Sequence, residues 1–113
     1  MAELPEELSP RQVATLIGEG DVQLVDVREP YEHEAGRIAD DVHIELDRLP
    51  AEAGSLDRER PLVFYCRSGS RSALATQAFS ASGFRAHNLT GGLQAWVKEG
   101  LPIEPADGHV AAH

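Results

Sequence analysis

Short apolar runs of strand length alternate along the chain with segments whose apolar residues recur at the spacing of an α-helix. The apolar runs predict strands at 22–27, 42–44, 61–65 and 85–89. The helical segments begin near Ser9, Glu29, Leu46, Ser70 and Leu93. Strands that alternate with helices over short connections predict an α/β domain with a mainly parallel sheet.

Local signals refine these elements. Ser9 and Gln12 have the spacing of a capping box around Pro10, which predicts a helix that begins there. The uninterrupted apolar run 61–65 is typical of a central strand that is buried on both faces. The helix that begins at Ser70 is expected to turn four apolar side chains inward: Ala73, Leu74, Ala78 and Phe79.

The chain of 113 residues suits one domain with a single core. We expect an N-terminal leader at 1–8, a folded domain at 9–103 and a flexible tail at 104–113, because the tail shows no apolar periodicity. No stretch approaches the roughly 20 apolar residues that cross a bilayer. The acidic N-terminus lacks the apolar run of a signal peptide, which favours a cytoplasmic location.

Charge and residue counts narrow the function. Nineteen acidic residues against ten basic ones give a net charge of −9, which disfavours binding to nucleic acids or anionic membranes. The five histidines are scattered and only one cysteine is present, so we predict no metal site, no cofactor and no internal disulfide. The sequence does not specify the oligomeric state.

The single cysteine, Cys66, lies between the predicted central strand and the helix at Ser70. A free cysteine there could be a small buried hydrophobic residue. The segment that follows is polar, however, and Gly69 permits its backbone N–H groups to converge on one point, as in an anion-binding nest. Arg67 and Arg71 add positive charge, and such surroundings favour the nucleophilic thiolate. We call residues 66–71 the cysteine loop.

Three segments resemble the signatures of the single-domain rhodanese, or thiosulfate sulfurtransferase-like, family. They are Leu24-Val25-Asp26-Val27-Arg28-Glu29-Pro30, Val63-Phe64-Tyr65-Cys66-Arg67-Ser68-Gly69-Ser70-Arg71-Ser72 and Gly91-Gly92-Leu93-Gln94-Ala95-Trp96. The likeness spans about 9–103. It implies a five-stranded, mainly parallel sheet flanked by helices on both faces, and a sulfurtransferase in which the cysteine cycles between thiolate and persulfide.

The resemblance also implies roles for individual residues. Cys66 is the expected nucleophile, which attacks the outer sulfur of thiosulfate or a similar anionic donor and passes the sulfur to cyanide, a thiol or a protein. The expected substrate-binding residues are those of the cysteine loop: Arg67, Ser68, Gly69, Ser70 and Arg71. Asp26 and Arg28 match supporting residues at the end of the first predicted strand, although ordinary turn-stabilising charges are an equal alternative.

Two departures from the family pattern lie outside the cysteine loop. Many members read Gly-His-Ile-Pro-Gly-Ala where this chain reads Gly36-Arg37-Ile38-Ala39-Asp40-Asp41, and His33 stands where an aromatic residue is common. The neighbouring acidic residues Glu29, Glu32 and Glu34 are expected to form a solvated turn. The departures make the local backbone before Val42 uncertain from sequence.

Two alternative functions fit parts of the pattern. Cysteine phosphatases related to this fold carry an arginine six positions after the cysteine, where this chain has Ser72. Because the arginine comes one residue earlier, at Arg71, the loop encloses a smaller pocket, which favours a sulfur atom over phosphate. The second alternative is a rhodanese-like relay or docking module that shows little turnover alone.

Overall fold

Five strands form one sheet, and each of its strand pairs is parallel. The computed structural model describes residues 4–113. The strands are β1 (Glu7–Leu8), β2 (Gln23–Asp26), β3 (Val42–His43), β4 (Leu62–Tyr65) and β5 (Ala86–Leu89). Their order across the sheet is β1-β5-β4-β2-β3. Cys66 therefore follows the central strand, at the carboxyl edge where ligands bind in such sheets.

Five α-helices surround the sheet. They are α1 (Pro10–Glu19), α2 (Pro30–Ala35), α3 (Leu49–Glu52), α4 (Ser70–Ala81) and α5 (Gly92–Lys98). The capping box predicted for α1 is present: the Gln12 N–H donates to Ser9 Oγ over 3.2 Å, and the Ser9 N–H donates to Gln12 Oε1 over 2.8 Å. Within residues 4–113, no helix has the length and apolar character needed to cross a membrane.

The two faces of the sheet carry separate apolar cores, because successive side chains of a strand point to opposite faces. Phe64 of β4 packs in one core with Phe79 of α4. Its neighbour Val63 packs in the other core with Val13 of α1 and Trp96 of α5. The predicted α/β fold with helices on both faces is therefore confirmed.

The N-terminal leader predicted at 1–8 needs a correction. Residues 1–3 lie outside the described residues, but Glu7 and Leu8 form β1 and pair with β5. Leu8 has no exposed surface, and the Glu6 carbonyl accepts a hydrogen bond of 2.7 Å from the Asn88 N–H. A strand of two residues is too short to produce a periodic signal, so only its partner strand reveals it.

The C-terminal segment at 104–113 also differs from the flexible tail that we expected. Arg37 and Glu104 exchange two backbone hydrogen bonds of 2.9 and 2.7 Å, and the His109 N–H donates to the Ala35 carbonyl over 2.9 Å. Val110 packs against the core on the α1 and α5 side of the sheet. These anchors use mainly backbone groups, which leave no hydrophobic pattern in the sequence.

The inward face of α4 is rotated from the predicted one. Leu74 is 61% exposed and Ala78 is also exposed, whereas Ser72, Ala75 and Thr76 are buried. Of the predicted inward residues, Phe79 is buried and Ala73 is partly buried. The rotation arises because α4 begins directly at the cysteine loop and turns Ser72 toward Cys66. The hydrogen bond from Ser72 to Cys66 therefore determines which face of α4 is buried.

Candidate active site

The Cys66 side chain lies at the centre of a ring of hydrogen-bond donors. Its Sγ accepts the Gly69 N–H over 3.1 Å, the Ser72 N–H over 3.5 Å and the Ser72 hydroxyl over 3.3 Å. Cys66 itself has no exposed surface. Donors that converge on one sulfur stabilise negative charge there, so the arrangement favours a thiolate or a persulfide.

Gly69 gives the loop its curvature. Its φ is +101°, a left-handed conformation that glycine adopts readily and that other residues rarely do. The residue caps the N-terminus of α4, and its carbonyl accepts a hydrogen bond of 3.2 Å from Asn88 Nδ2 on β5. The hydrogen bond from Asn88 therefore holds the loop against β5, while the N–H groups of the loop face Cys66.

The N-terminus of α5 holds the other side of the loop. The Leu93 N–H donates to the Cys66 carbonyl over 2.8 Å, and the Gln94 N–H donates to the Arg67 carbonyl over 3.0 Å. A Cβ on Gly92 would lie only 2.5 Å from the Cys66 carbonyl oxygen. The Gly91-Gly92 pair therefore permits a close backbone approach that a larger residue would block.

Arg71 closes the loop through an ion pair with α2. Its two terminal nitrogens donate to the two carboxylate oxygens of Glu32 over 2.8 and 2.9 Å. Glu32 is fully buried, in contrast to the solvated turn that we predicted. Burial opposes its ionisation, but the hydrogen bonds from Arg71 and the Glu29 N–H, together with nearby positive charge, outweigh burial and lower the pKa of Glu32. The carboxylate is therefore charged at neutral pH.

The other predicted loop residues differ in exposure. Arg67 is half-buried, whereas Ser68 and Ser70 are exposed. The hydroxyl oxygens of Ser68 and Ser70 are 3.4 Å apart at the rim of the loop. The structure thus brings the predicted loop residues together around Cys66, with Gly69 in direct contact with its sulfur.

Asp26 and Arg28, the predicted supporting residues, form a buried bidentate pair beside the loop. Arg28 Nε and Nη2 donate to Asp26 over 2.9 and 2.7 Å, and neither side chain has exposed surface. Arg28 also donates to the Gly36 carbonyl over 2.7 Å. Within residues 4–113, neither side chain hydrogen-bonds to the cysteine loop. Their contacts stabilise the end of β2 and the backbone around Gly36.

Two residues that depart from the family pattern, His33 and Asp41, lie beside the Asp26–Arg28 pair. His33 Nδ1 lies 2.8 Å from Asp26 Oδ2 and 3.6 Å from Asp41 Oδ2, which accepts the Tyr65 hydroxyl over 2.5 Å. Burial raises the pKa of Asp41. The carboxylate and imidazole atoms lie within 4.8 Å of one another, as metal ligands do, but they are engaged with one another, Arg28 and Tyr65. We call Asp26, Arg28, His33, Asp41 and Tyr65 the β2-end cluster.

Three contributors to the site were missed by the sequence reasoning: Glu32, Ser72 and Asn88. Ser72 stands in the second family segment and at the position of the phosphatase arginine, but no contact with the cysteine was predicted for it; in the first turn of α4 its hydroxyl donates to Cys66 Sγ. Glu32 and Asn88 come from other parts of the chain, 39 and 19 residues from their loop partners. No local pattern indicates those contacts.

A family model described as a rhodanese-like domain matches residues 9–99. The chain belongs to the rhodanese-like family. A protein of Allochromatium vinosum named sulfurtransferase is 39% identical over 89 residues, which cover 78% of this chain and 83% of that protein. The thiosulfate sulfurtransferase GlpE of Actinobacillus pleuropneumoniae is 30% identical over 107 residues, 94% of this chain and 99% of GlpE.

A solved structure supports the same assignment. The crystal structure of a rhodanese-related protein from Thermoplasma volcanium matches this rhodanese-like domain with a TM-score of 0.81 and 29% sequence identity. The match covers 88% of this chain and 97% of that one. The family resemblance expected from the three sequence segments is therefore confirmed, together with the fold that it implies.

Proposed function

We propose that this protein is a sulfurtransferase in which Cys66 carries sulfane sulfur as a persulfide. The observation that carries the proposal is the set of three hydrogen bonds that converge on Cys66 Sγ. These hydrogen bonds stabilise the Cys66 thiolate that attacks the sulfur donor. They stabilise the same thiolate again when it leaves from the persulfide. The names of the relatives from A. vinosum and A. pleuropneumoniae support the same activity.

In the first half-reaction, the Cys66 thiolate attacks the outer sulfur of thiosulfate or a similar donor. An S–S bond forms to Cys66, the donor's S–S bond breaks, and sulfite leaves with the electron pair of that bond. Backbone N–H groups of the loop and the Ser72 hydroxyl surround the cysteine sulfur during this step. Arg67 to Arg71 provide the substrate-binding loop in this mechanism.

In the second half-reaction, a nucleophilic acceptor attacks the outer sulfur of the persulfide, and Cys66 leaves as the thiolate. Cyanide would yield thiocyanate, while a small thiol or a protein thiol would itself become a persulfide. The step needs no base to activate the cysteine, since the leaving thiolate returns to the same hydrogen bonds. The β2-end cluster supports the backbone beside the loop and takes no part in the chemistry.

A second candidate function is a relay or docking module that receives sulfur but turns over slowly alone. The observation that favours it is the burial of Cys66. A sulfur donor can reach the buried sulfur only if the outer residues of the cysteine loop leave it room. In that case a protein partner would supply the opening. The two candidates share the persulfide and differ in the rate of its discharge by small acceptors.

The decisive experiment is intact-mass measurement after incubation with thiosulfate. The expected result is one added sulfur atom, about 32 Da, which cyanide removes with stoichiometric release of thiocyanate. The matched control is Cys66→Ser, which keeps the size of the side chain and should gain no mass. Equal mass gain in Cys66→Ser would show that Cys66 is not the sulfur carrier. A persulfide without steady-state thiocyanate release would favour the relay module.

A further inference from the structure

The cysteine loop is connected to the first strand of the sheet, β1, through one side chain of β5. Glu7 of β1 lies opposite Asn88 of β5 in the register of the sheet. Asn88 Nδ2 donates to the two carboxylate oxygens of Glu7 over 3.1 and 3.2 Å, and to the Gly69 carbonyl over 3.2 Å. A carboxylate near the start of the chain therefore reaches the loop through a single amide group.

The Glu7 carboxylate determines which end of the Asn88 amide faces the loop. The nitrogen and oxygen of an amide are nearly equal in size, so packing alone does not distinguish the two orientations. With Nδ2 toward the loop, its hydrogens meet acceptors on Glu7 and on Gly69. With Oδ1 in that place, an acceptor would face both the carboxylate and the carbonyl. A charged acceptor at Glu7 therefore excludes the second orientation.

Two further observations concern the placement of this amide. Asn88 is 3% exposed, and its Oδ1 has no hydrogen-bond partner within residues 4–113. A buried acceptor without a partner destabilises a fold, yet this orientation is the one that gives Nδ2 its acceptors. Thr90 Oγ1 donates to Glu7 Oε1 over 2.7 Å. That contact fixes the carboxylate, although the Glu7 side chain lies at the surface.

From these contacts we propose that Glu7 and Asn88 are positioning residues for sulfur transfer. The carboxylate orients the amide, and the amide fixes Gly69 so that its N–H points at Cys66 Sγ. That N–H lies 3.1 Å from the sulfur, the shortest of the three hydrogen bonds there. The Gly69 carbonyl also accepts from the Ala73 N–H over 3.0 Å, at the start of α4. The proposal rests on the sulfurtransferase function proposed above.

The position of the Gly69 N–H should matter most when the persulfide is discharged. The acceptor forms a bond to the outer sulfur, the S–S bond breaks, and the electron pair of that bond returns to Cys66 as the thiolate. The Gly69 N–H stabilises the negative charge that develops on Sγ in this step. In the loading step, a less stabilised thiolate is less abundant but more nucleophilic, so the two effects partly cancel.

The test measures discharge of the persulfide in a single turnover. Each protein would be loaded with thiosulfate, freed of donor and mixed with excess cyanide, and loss of the added sulfur would be followed by quenched intact-mass analysis. Only molecules that carry the persulfide are counted, so a loss of folded protein changes the amplitude and not the rate constant. Glu7→Ala should lower the rate constant by about threefold, and Asn88→Ala by about fivefold.

Two further variants show whether Glu7 acts through hydrogen bonding. Glu7→Gln keeps an oxygen that can accept from Asn88, so it should recover most of the rate that Glu7→Ala loses. Glu6→Ala is the matched control, the same change at the exposed neighbouring residue, and should keep the rate constant of the unaltered protein. Equal rate constants for Glu7→Ala and Glu6→Ala would overturn the proposal. That outcome does not depend on whether Asn88→Ala folds.

The combination of the two changes tests the route. Glu7→Ala should have no additional effect in a chain that already carries Asn88→Ala, because Glu7 acts through that amide. Additive effects would mean that the carboxylate acts in another way, which contradicts the proposal. The amide resonance of Gly69 in a ¹⁵N–¹H correlation spectrum should shift in Glu7→Ala and not in Glu6→Ala. Slower discharge with an unmoved Gly69 resonance would also contradict it.

Failure of this inference can be told apart from failure of the proposed function. If thiosulfate adds no sulfur to the unaltered protein, the sulfurtransferase proposal is wrong. If the persulfide forms and its discharge is the same with and without the Glu7 carboxylate, only the positioning role is wrong.

Discussion

The cysteine loop and the β2-end cluster both lie where strands of the sheet end, and both combine charged and hydroxyl side chains. They differ in the atoms to which their hydrogen bonds are directed. In the loop, donors from Gly69 and Ser72 converge on one sulfur atom. In the cluster, Asp26 is bound on one side by Arg28 and on the other by His33. The loop directs its donors at one sulfur atom, whereas the hydrogen bonds of the cluster mainly join its own members, and Arg28 Nη1 has no hydrogen-bond partner within residues 4–113.

This difference shows how to separate chemistry from support at one edge of a sheet. Buried charged groups that are paired bidentately with one another have most of their hydrogen-bonding capacity used within the fold, and removing one partner is costly. Donors that meet at a polarisable sulfur favour its negative charge, which is what sulfur transfer requires. The comparison predicts that changes in the cluster affect folding and that changes at the sulfur affect rate.

The largest expected effect comes from breaking the cluster. Arg28→Ala would leave the Asp26 carboxylate buried without its ion-pair partner, which should lower the free energy of unfolding by about 3–5 kcal/mol. The measurement is urea unfolding followed by circular dichroism. A second change, Asp26→Ala, made in the same chain should recover part of the loss, because it removes the unpaired charge.

The control for that experiment is Arg48→Ala, which removes an exposed arginine and should change stability by less than about 0.5 kcal/mol. If Arg28→Ala and Arg48→Ala were equally stable, the cluster would not be the structural element that we describe. The prediction that changes in the cluster mainly affect folding would then be wrong.

The next largest effect concerns rate rather than stability. Ser72→Ala removes one of the three hydrogen bonds to Cys66 Sγ. Since that hydroxyl stabilises the thiolate in both half-reactions, kcat/KM should fall about tenfold, which corresponds to roughly 1.4 kcal/mol. The measurement is thiocyanate release under steady-state conditions, together with urea unfolding to show that stability changes by less than about 1 kcal/mol.

Ser80→Ala is the matched control, since Ser80 lies on the same helix away from the sulfur contacts. It should keep the unaltered kcat/KM. A Ser72→Ala variant with normal kinetics would mean that the hydroxyl contact is only a packing contact, and the contrast between the regions would rest on the backbone N–H groups alone.

A smaller effect is expected in acid, where the Glu32–Arg71 pair is lost. The pKa of Glu32 is lower in the folded state than in the unfolded state, so its stabilisation is complete above about pH 4.3 and disappears as the pH falls through the folded value. The stability difference between the unaltered protein and Glu32→Gln should therefore shrink between pH 7 and pH 3 in urea unfolding. Glu34→Gln should not show such a change, and a constant difference for Glu32→Gln would contradict the assignment.

The smallest effect has the opposite sign. Burial raises the pKa of Asp41, so the folded state favours its protonated form and loses stability as the pH rises through the raised value. Asp41→Asn removes this penalty and should gain stability relative to the unaltered chain more at pH 7 than at pH 4. Asp47→Asn, at an exposed position, should show no such pH dependence. A gain that is equal at both pH values would point to packing rather than charge.

Much of the candidate site was predictable because its residues are contiguous. The apolar run of β4, followed by a polar, glycine-containing loop and a helix, is enough to place Cys66 at the edge of the sheet. The inward face of α4 was predicted wrongly, because apolar periodicity ignores a buried serine that serves the loop.

The sequence by itself determined the succession of strands β2 to β5 and of the helices along the chain, the position of Cys66 after β4, and the family, since these follow from short segments and local spacing. Only the tertiary structure decided that Glu32 balances Arg71, that Asn88 holds the Gly69 carbonyl, and that His33 and Asp41 share one polar cluster. Those contacts join residues that are distant in the chain. Their geometry depends on how the sheet brings strand ends together, which no local pattern of polarity specifies.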